Sequence, residues 1–238
     1  MTRTVPMMDQ IEAAVREVPG WSPVDQLFAL FNLTFASAPL GGDVLELGSW
    51  CGRSAVALGM AARLTGTGHV HCVDLFPERE DWYPNADGSY SFRVTIDGQT
   101  IESYHQQTVW AEPFQRDIAP LYAQHGGLFE HFRATVRDNA LQDVVMPFRG
   151  DLAGFFIRNP DTRLRLAFLD GHHSFEAVCK DIDRVTPHLL TGGWLCFDDA
   201  FTSYDGVNAA IREKVLNGAG FTDAQQLTRK LFVARKTV

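Results

Sequence analysis

Several acidic side chains stand where apolar runs of this chain break off. Glu46 lies in VLEL just before Gly48, Asp74 closes HVHCVDL, Asp151 follows the run 144–149, Asp170 follows LRLAFL, and Asp198-Asp199 follow WLCF. His172 and His173 come directly after Asp170-Gly171. Asp is common in turns and caps, and the plain alternative for the histidine pair is that one caps the helix that follows and only the other faces the site. As a set, though, these residues have the composition of a reaction centre. Carboxylates that converge without a compensating Arg or Lys repel one another and rise in pKa. A hard divalent cation such as Mg²⁺, Ca²⁺ or Mn²⁺ relieves that, because it takes oxygen ligands. Asp170, Asp198 and Asp199 are therefore the candidate metal ligands. His172 and His173 are the candidate acid–base groups, since imidazole titrates near neutral pH. Zinc ligation by the adjacent histidines fits less well, because zinc sites space their histidines more widely. His69, His71, His105, His125, His131 and His188 lack such neighbours and read as structural or surface residues.

A second constellation is the stretch 44–54, VLELGSWCGRS. A buried strand, a turn between Gly48 and Gly52, and a helix opening at Ser54 make a cradle for a nucleotide-like ligand. Gly48 permits a sharp turn and Gly52 a close approach to ligand, because neither has a Cβ. Glu46, Ser49 and Ser54 complete the cradle. Asp74, about 20 residues beyond the turn, is placed to bind ribose hydroxyls. Asp151 is placed to hold the remainder of a nucleoside. The glycine spacing is G-x-x-x-G rather than G-x-G-x-x-G, which argues against a nicotinamide dehydrogenase. A metal-dependent hydrolase or hydroxylase would explain the acids and histidines but not the cradle. A non-catalytic nucleoside-binding module would need the cradle but not the second set of acids.

The elements that position these residues follow from periodicity. Helices are expected at 7–18, at 24–36 after a Ser22-Pro23 start, at 54–63, 128–140, 152–158, 175–190 and 207–216. Parallel strands are expected at 43–47, 69–75, 144–149, 164–169 and 194–197. Two final strands, near 224–228 and 230–235, are separated by too little chain for a crossover and should pair antiparallel. The fold class is α/β, a doubly wound Rossmann-like sheet in one domain of 238 residues. Residues 1–42 form an N-terminal helical cap. Residues 76–127 are far longer than an ordinary connection, and they carry Trp82, Tyr83, Tyr90, Phe92, Tyr104 and Trp110. They read as an insertion, with a hairpin of 91–96 and 99–103 around Asp97-Gly98. It serves either as a lid or as a surface elaboration.

Composition narrows the partners. The chain has a net charge of −8 and no Lys/Arg run, so nucleic acid is not an expected partner. No apolar run approaches the roughly 20 residues of a membrane span, and no leader pattern opens the sequence. Cys51, Cys72, Cys179 and Cys196 are far apart in apolar contexts and read as reduced core residues of a cytoplasmic protein. A homodimer through the N-terminal helices or the insertion is one assembly the sequence allows.

In order, ELGSWCGRS, VDLF, FRGD, FLDGHHSFEAVCKDI, GGWLCFDD and FVARK resemble the class I S-adenosylmethionine-dependent methyltransferases. Within them the pattern is similar to the metal-dependent O-methyltransferases of sugars and natural products (macrocin O-methyltransferase-like, with cephalosporin-hydroxylase-type relatives). The resemblance spans about 43–236 without the insertion. It implies that Glu46, Gly48 and Gly52 face the methionine part of S-adenosylmethionine, that Asp74 binds its ribose and that Asp151 lies beside its adenine. It further implies that Asp170, Asp198 and Asp199 hold Mg²⁺ or another divalent ion, with Asp170 bordering the cofactor as well. His173 matches the usual histidine of the family. His172 stands where relatives often carry an Asp proposed as base, a departure that leaves the base unassigned. The implied partner is a small-molecule hydroxyl acceptor.

Overall fold

The structure is a computed structural model and describes residues 5–102, 108–124 and 126–237. The chain opens with α1 (Met7–Val15) and α2 (Val24–Ala36), then alternates β1 (Asp43–Leu47), α3 (Arg53–Thr65) and β2 (Val70–Asp74). The insertion contributes β3 (Trp82–Pro84), β4 (Ser89–Ile96), β5 (Gln99–Glu102) and β6 (Val109–Trp110). It ends in a helical run made of α4 (Ala111–Pro113), a π-helical turn (Phe114–Ile118) and α5 (Ala119–Gln124). Alternation then resumes with α6 (Leu128–Asp138), β7 (Val145–Arg149), α7 (Leu152–Arg158), β8 (Leu164–Leu169), α8 (Phe175–Val185), β9 (Leu189–Phe197) and α9 (Asp205–Ala210). A π-helical turn (Ile211–Leu216) extends α9, and β10 (Phe221–Gln226) and β11 (Phe232–Lys236) close the chain.

The main sheet has the order β10-β11-β9-β8-β1-β2-β7. β7, β2, β1, β8 and β9 are parallel, while β11 runs antiparallel to both β9 and β10. β1 lies between β2 and β8, so the connections leaving β1 and β8 part in opposite directions and open a crevice at their carboxyl ends. Alternation along each strand feeds two cores. Val44, Val70, Cys72, Leu166, Phe168 and Cys196 pack on the side of α1–α3 and α6. Leu45, Val73, Ala167, Leu169, Leu195 and Phe197 pack on the side of α7–α9. Each buried Val, Leu or Phe among them contributes about 1.5–3 kcal/mol. All four cysteines are free and buried, as core residues should be.

The structure departs from the sequence reading at several ends. The first helix stops at Val15, three residues early. Ser22 does not cap α2: Pro23 holds the cap position without a side-chain bond, and the Ser22 carbonyl accepts from Arg53 Nε. The helix expected to reach residue 190 ends at Val185. Pro187 cannot donate to an α-helical ladder, so a single 3₁₀ turn leads straight into β9, which starts five residues earlier than expected. The hairpin around Asp97-Gly98 forms as read; Ser103, Tyr104, His105 and His125 lie outside the described residues. Among the described residues no helix is long and apolar enough to cross a membrane.

Candidate active site

A cavity of about 770 Å³ opens over the carboxyl ends of β1, β2, β7, β8 and β9, within the range that holds a small organic ligand. Its floor is made by the strand-end residues. Its roof includes Trp82, Phe92 and Trp110 from the insertion and Trp21 from the N-terminal segment. The insertion is thus part of the site wall.

On the β1–β2 side, Gly48 turns the chain with φ +87°, and a Cβ there would lie 2.0 Å from the Asp170 carbonyl oxygen. Its lack of a side chain lets the glycine loop rest on the end of β8. The cradle expected at Gly52 is a correction. Gly52 adopts φ +89° before α3, and its missing Cβ faces the Phe132 ring at 3.1 Å, so it makes room for α6 and does not line the cavity. Asp74 fixes the loop from below: its carboxylate accepts from the Trp50 amide at 2.9 Å and the Phe76 amide at 2.6 Å. Burial raises the Asp74 pKa, and the amides of Trp50, Phe76 and Ser49 oppose the rise. Ser49, Ser54 and Asp74 all line the cavity.

Glu46 is a second correction. It is fully buried beneath the loop and absent from the cavity wall. Neither of its carboxylate oxygens has a partner at hydrogen-bonding geometry. Burial raises its pKa, against the side chains of Ser49, Ser54 and Cys72. Asp151 does border the cavity. One of its oxygens caps α7 by accepting from the Gly154 amide at 2.8 Å, an ordinary helix-start role that the sequence shared with the ligand-binding one.

On the β8–β9 side, the acids and histidines meet, but not in the expected set. Asp198 lines the same cavity beside Asp170, but the chain's own donors already engage both of its oxygens. Its Oδ1 accepts from Gln26 Nε2 at 3.0 Å and from the Asp199 amide at 2.8 Å, and its Oδ2 accepts from Lys230 Nζ at 2.9 Å. Lys230 Nζ also lies 3.4 Å from Asp199 Oδ1. Asp199 has φ +53°, a left-handed backbone that aims its side chain at His173, whose Nε2 is 3.1 Å from Asp199 Oδ2. The His173 ring stacks on Tyr204 at 4.0 Å. Among the described residues, Asp170, His173 and Asp199 are the group whose donor atoms lie within 4.8 Å of one another, close enough for a divalent ion. The premise of uncompensated carboxylates therefore fails: Lys230, which sequence reasoning missed, supplies a positive charge. Its sequence signal is slight, since it lies 31 residues beyond Asp199 and reaches it only through the β10–β11 hairpin.

Electrostatics follow the packing. Burial, then the charges of Asp198 and Asp199, hold the Asp170 carboxyl well above the ordinary range, with Lys230 opposing. Burial also raises Asp199, but His173 and Lys230 outweigh it and leave the carboxyl below its usual value. The two histidines differ. His172 Nδ1 accepts from the Ser174 amide at 2.9 Å; burial and the neighbouring His173 push its pKa down to about 4. Ser174, not a histidine, caps α8. Of the remaining described histidines, His71 pairs with Asp43, His188 stacks on Phe156 and His131 is buried in α6; with His69 they stand apart from the cavity.

Comparison with known proteins agrees with this arrangement. The profile of the methyltransferase domain matches residues 45–200, well over half of the chain. Among solved structures, the O-methyltransferase NovP is similar with a TM-score of 0.61 and 18% identity, over 90% of this chain and 81% of that one. The apo structure of CalS11, a TDP-rhamnose 3'-O-methyltransferase of calicheamicin biosynthesis, has a TM-score of 0.58 at 14% identity over 98% and 88%. TomG of Streptomyces achromogenes, an O-methyltransferase of tomaymycin synthesis seen with S-adenosylmethionine, has a TM-score of 0.56 at 12% identity over 99% and 92%. These likenesses extend the doubly wound sheet and its antiparallel end to nearly the whole chain. By the matched domain and by its Rossmann-like architecture, the chain belongs to the methyltransferase-domain family.

Proposed function

We propose that this protein is an S-adenosylmethionine-dependent O-methyltransferase acting on a hydroxyl of a neutral, ring-bearing small molecule, a sugar or a natural product. The observation that carries the reading is a single cavity with Asp74 and the Gly48 loop on one wall and Asp170, His173 and Asp199 on the other. Ser49, Ser54 and Asp74 offer the hydroxyl and carboxylate groups that suit a nucleoside, and acidic walls suit a cationic donor. When bound, that donor supplies a methyl group whose bond pair returns to sulfur as the carbon passes to the acceptor oxygen.

The chain's own residues position the partners and take the proton. Positioning alone is worth roughly 7–11 kcal/mol of a barrier of this kind. Asp199 Oδ2 stands 3.1 Å from His173 Nε2 while His173 Nδ1 is buried without a partner, so the Asp199–His173 pair, at Nε2, is the group that receives the hydroxyl proton. A base so oriented contributes about 10²–10⁴-fold. His172 is the weaker base, because its Nδ1 lone pair is already engaged by the Ser174 amide.

A second reading rests on the spacing of Asp170, His173 and Asp199. These residues would hold Mg²⁺ or a similar ion, in place of the Asp170, Asp198 and Asp199 set drawn from the sequence. Such an ion would lower the pKa of an acceptor hydroxyl and orient it. His173 would then be a ligand and not the base. Titration with S-adenosylhomocysteine, with and without Mg²⁺, tests the donor site directly. A product screen across sugar, polyketide and phenolic acceptors, read as the mass gain of one methyl group, tests the reaction. Binding of NAD in its place, or no nucleoside binding at all, sinks the proposal.

A further inference from the structure

The β8–β9 side of the cavity contains a cation of its own. Lys230 stands between β10 and β11, in the wall of the cavity. Its side chain is 16% exposed, and that of Asp198 only 3%. The backbone holds it there, because its carbonyl accepts from the Ala200 amide at 2.9 Å, one residue past the two acids. The ammonium is 2.9 Å from Asp198 and 3.4 Å from Asp199. Gln26, fully buried on α2, holds the other Asp198 oxygen from the far side. Asp198 is therefore held by side chains from two distant parts of the chain, and Asp199 is shared between Lys230 and His173. Three bare carboxylates would need a divalent ion to coexist. Here one fixed ammonium touches two of them.

We infer that Lys230 is the charge-compensating residue of this site, standing in the role that a divalent cation plays among bare carboxylates, so that the carboxylates bind divalent ions weakly and methyl transfer needs none. The second half of this inference rests on the O-methyltransferase reading; the first half does not. Lys230 is a positioning residue in this account: it holds Asp199 in the orientation that pairs with His173, and its charge repels an added ion at close range.

Calorimetric titration of the full chain with Mn²⁺ tests it. K230Q is expected to bind Mn²⁺ at least tenfold more tightly than wild type, whereas K230R, which keeps the charge, should match wild type. K230Q binding no more tightly than wild type, or K230R behaving like K230Q, overturns the inference. Circular dichroism establishes that each variant is folded. Should K230Q not fold, the wild type decides alone: a chelator must leave its methyl transfer within twofold. Wild-type transfer that stops with chelator and returns with Mn²⁺ overturns the inference. Failure to bind S-adenosylhomocysteine would instead count against the O-methyltransferase reading, and the Mn²⁺ comparison would still stand.

Discussion

Replacing Gly48 by Ala probes the contact between the two walls of the cavity. The new Cβ would lie 2.0 Å from the Asp170 carbonyl oxygen and 2.6 Å from its carbonyl carbon, at φ +87°. Ordinary contact begins at 3.4 Å, so the loop and the end of β8 must part by about 1.4 Å, a shift that overpacking terms put at ~1–3 kcal/mol. The left-handed backbone adds about 1–2 kcal/mol for a residue with a Cβ. The sum, about 2–5 kcal/mol, is below the stability of about 5–15 kcal/mol typical of a domain, so the variant folds. Displacement of that size across a reaction centre costs about 10²-fold in rate. Urea unfolding reads the first quantity, and methyl transfer with S-adenosylhomocysteine binding reads the second. Gly66→Ala is the control: it shares the left-handed conformation, φ +63°, but its Cβ would meet nothing within 4 Å. It should lose only the backbone term and none of the binding. If Gly48→Ala unfolds like Gly66→Ala and binds the nucleoside as wild type does, the loop does not depend on its contact with Asp170, and the reasoning fails.

Asp199→Ala should abolish transfer, by at least about 10²-fold, while S-adenosylhomocysteine affinity stays within twofold, because Asp199 lies on the opposite wall from Asp74; unchanged turnover would remove His173–Asp199 from the chemistry. Asp43 predicts a stability effect far from the site. Burial raises its pKa, but the hydrogen bond with His71 at 3.0 Å and the amide of His69 at 2.8 Å outweigh it and hold the carboxyl below its ordinary value. A depressed carboxyl stabilises the fold above the unfolded-state pKa, and this stabilisation is lost as pH falls through the folded-state value. Asp43→Asn should therefore lose about 1 kcal/mol near neutral pH, after discount for the partial exposure of Asp43, and should converge with wild type in urea unfolding as pH falls through the depressed folded-state value. A gap that persists in acid would assign the loss to packing.

Much of the framework is local and therefore readable from sequence. α2, β1, α7 and β8 have the bounds that periodicity gives them, because an apolar face at a fixed period is a short-range property of the chain. The strand-end acids are readable for the same reason: parallel strands leave a crossover sheet on one edge, so Asp74, Asp151, Asp170 and Asp199 border one cavity whatever their side chains do. The overrun of α8 was also within reach, since Pro187 marks its end.

Which acids face one another was not readable. Side-chain direction at a strand end depends on left-handed backbone at Asp199, on Gln26 from a helix 172 residues away, and on Lys230 from a hairpin beyond the last crossover. No spacing rule connects residues that share no element. The sequence thus determined the sheet, its carboxyl edge and the kinds of residue gathered there. Only the tertiary structure decided that Glu46 and Gly52 face the core, that Asp198 is sealed by Gln26 and Lys230, and that His173 and not His172 pairs with Asp199. Chain-distant contacts set those orientations, and they exist only once the sheet has closed around them.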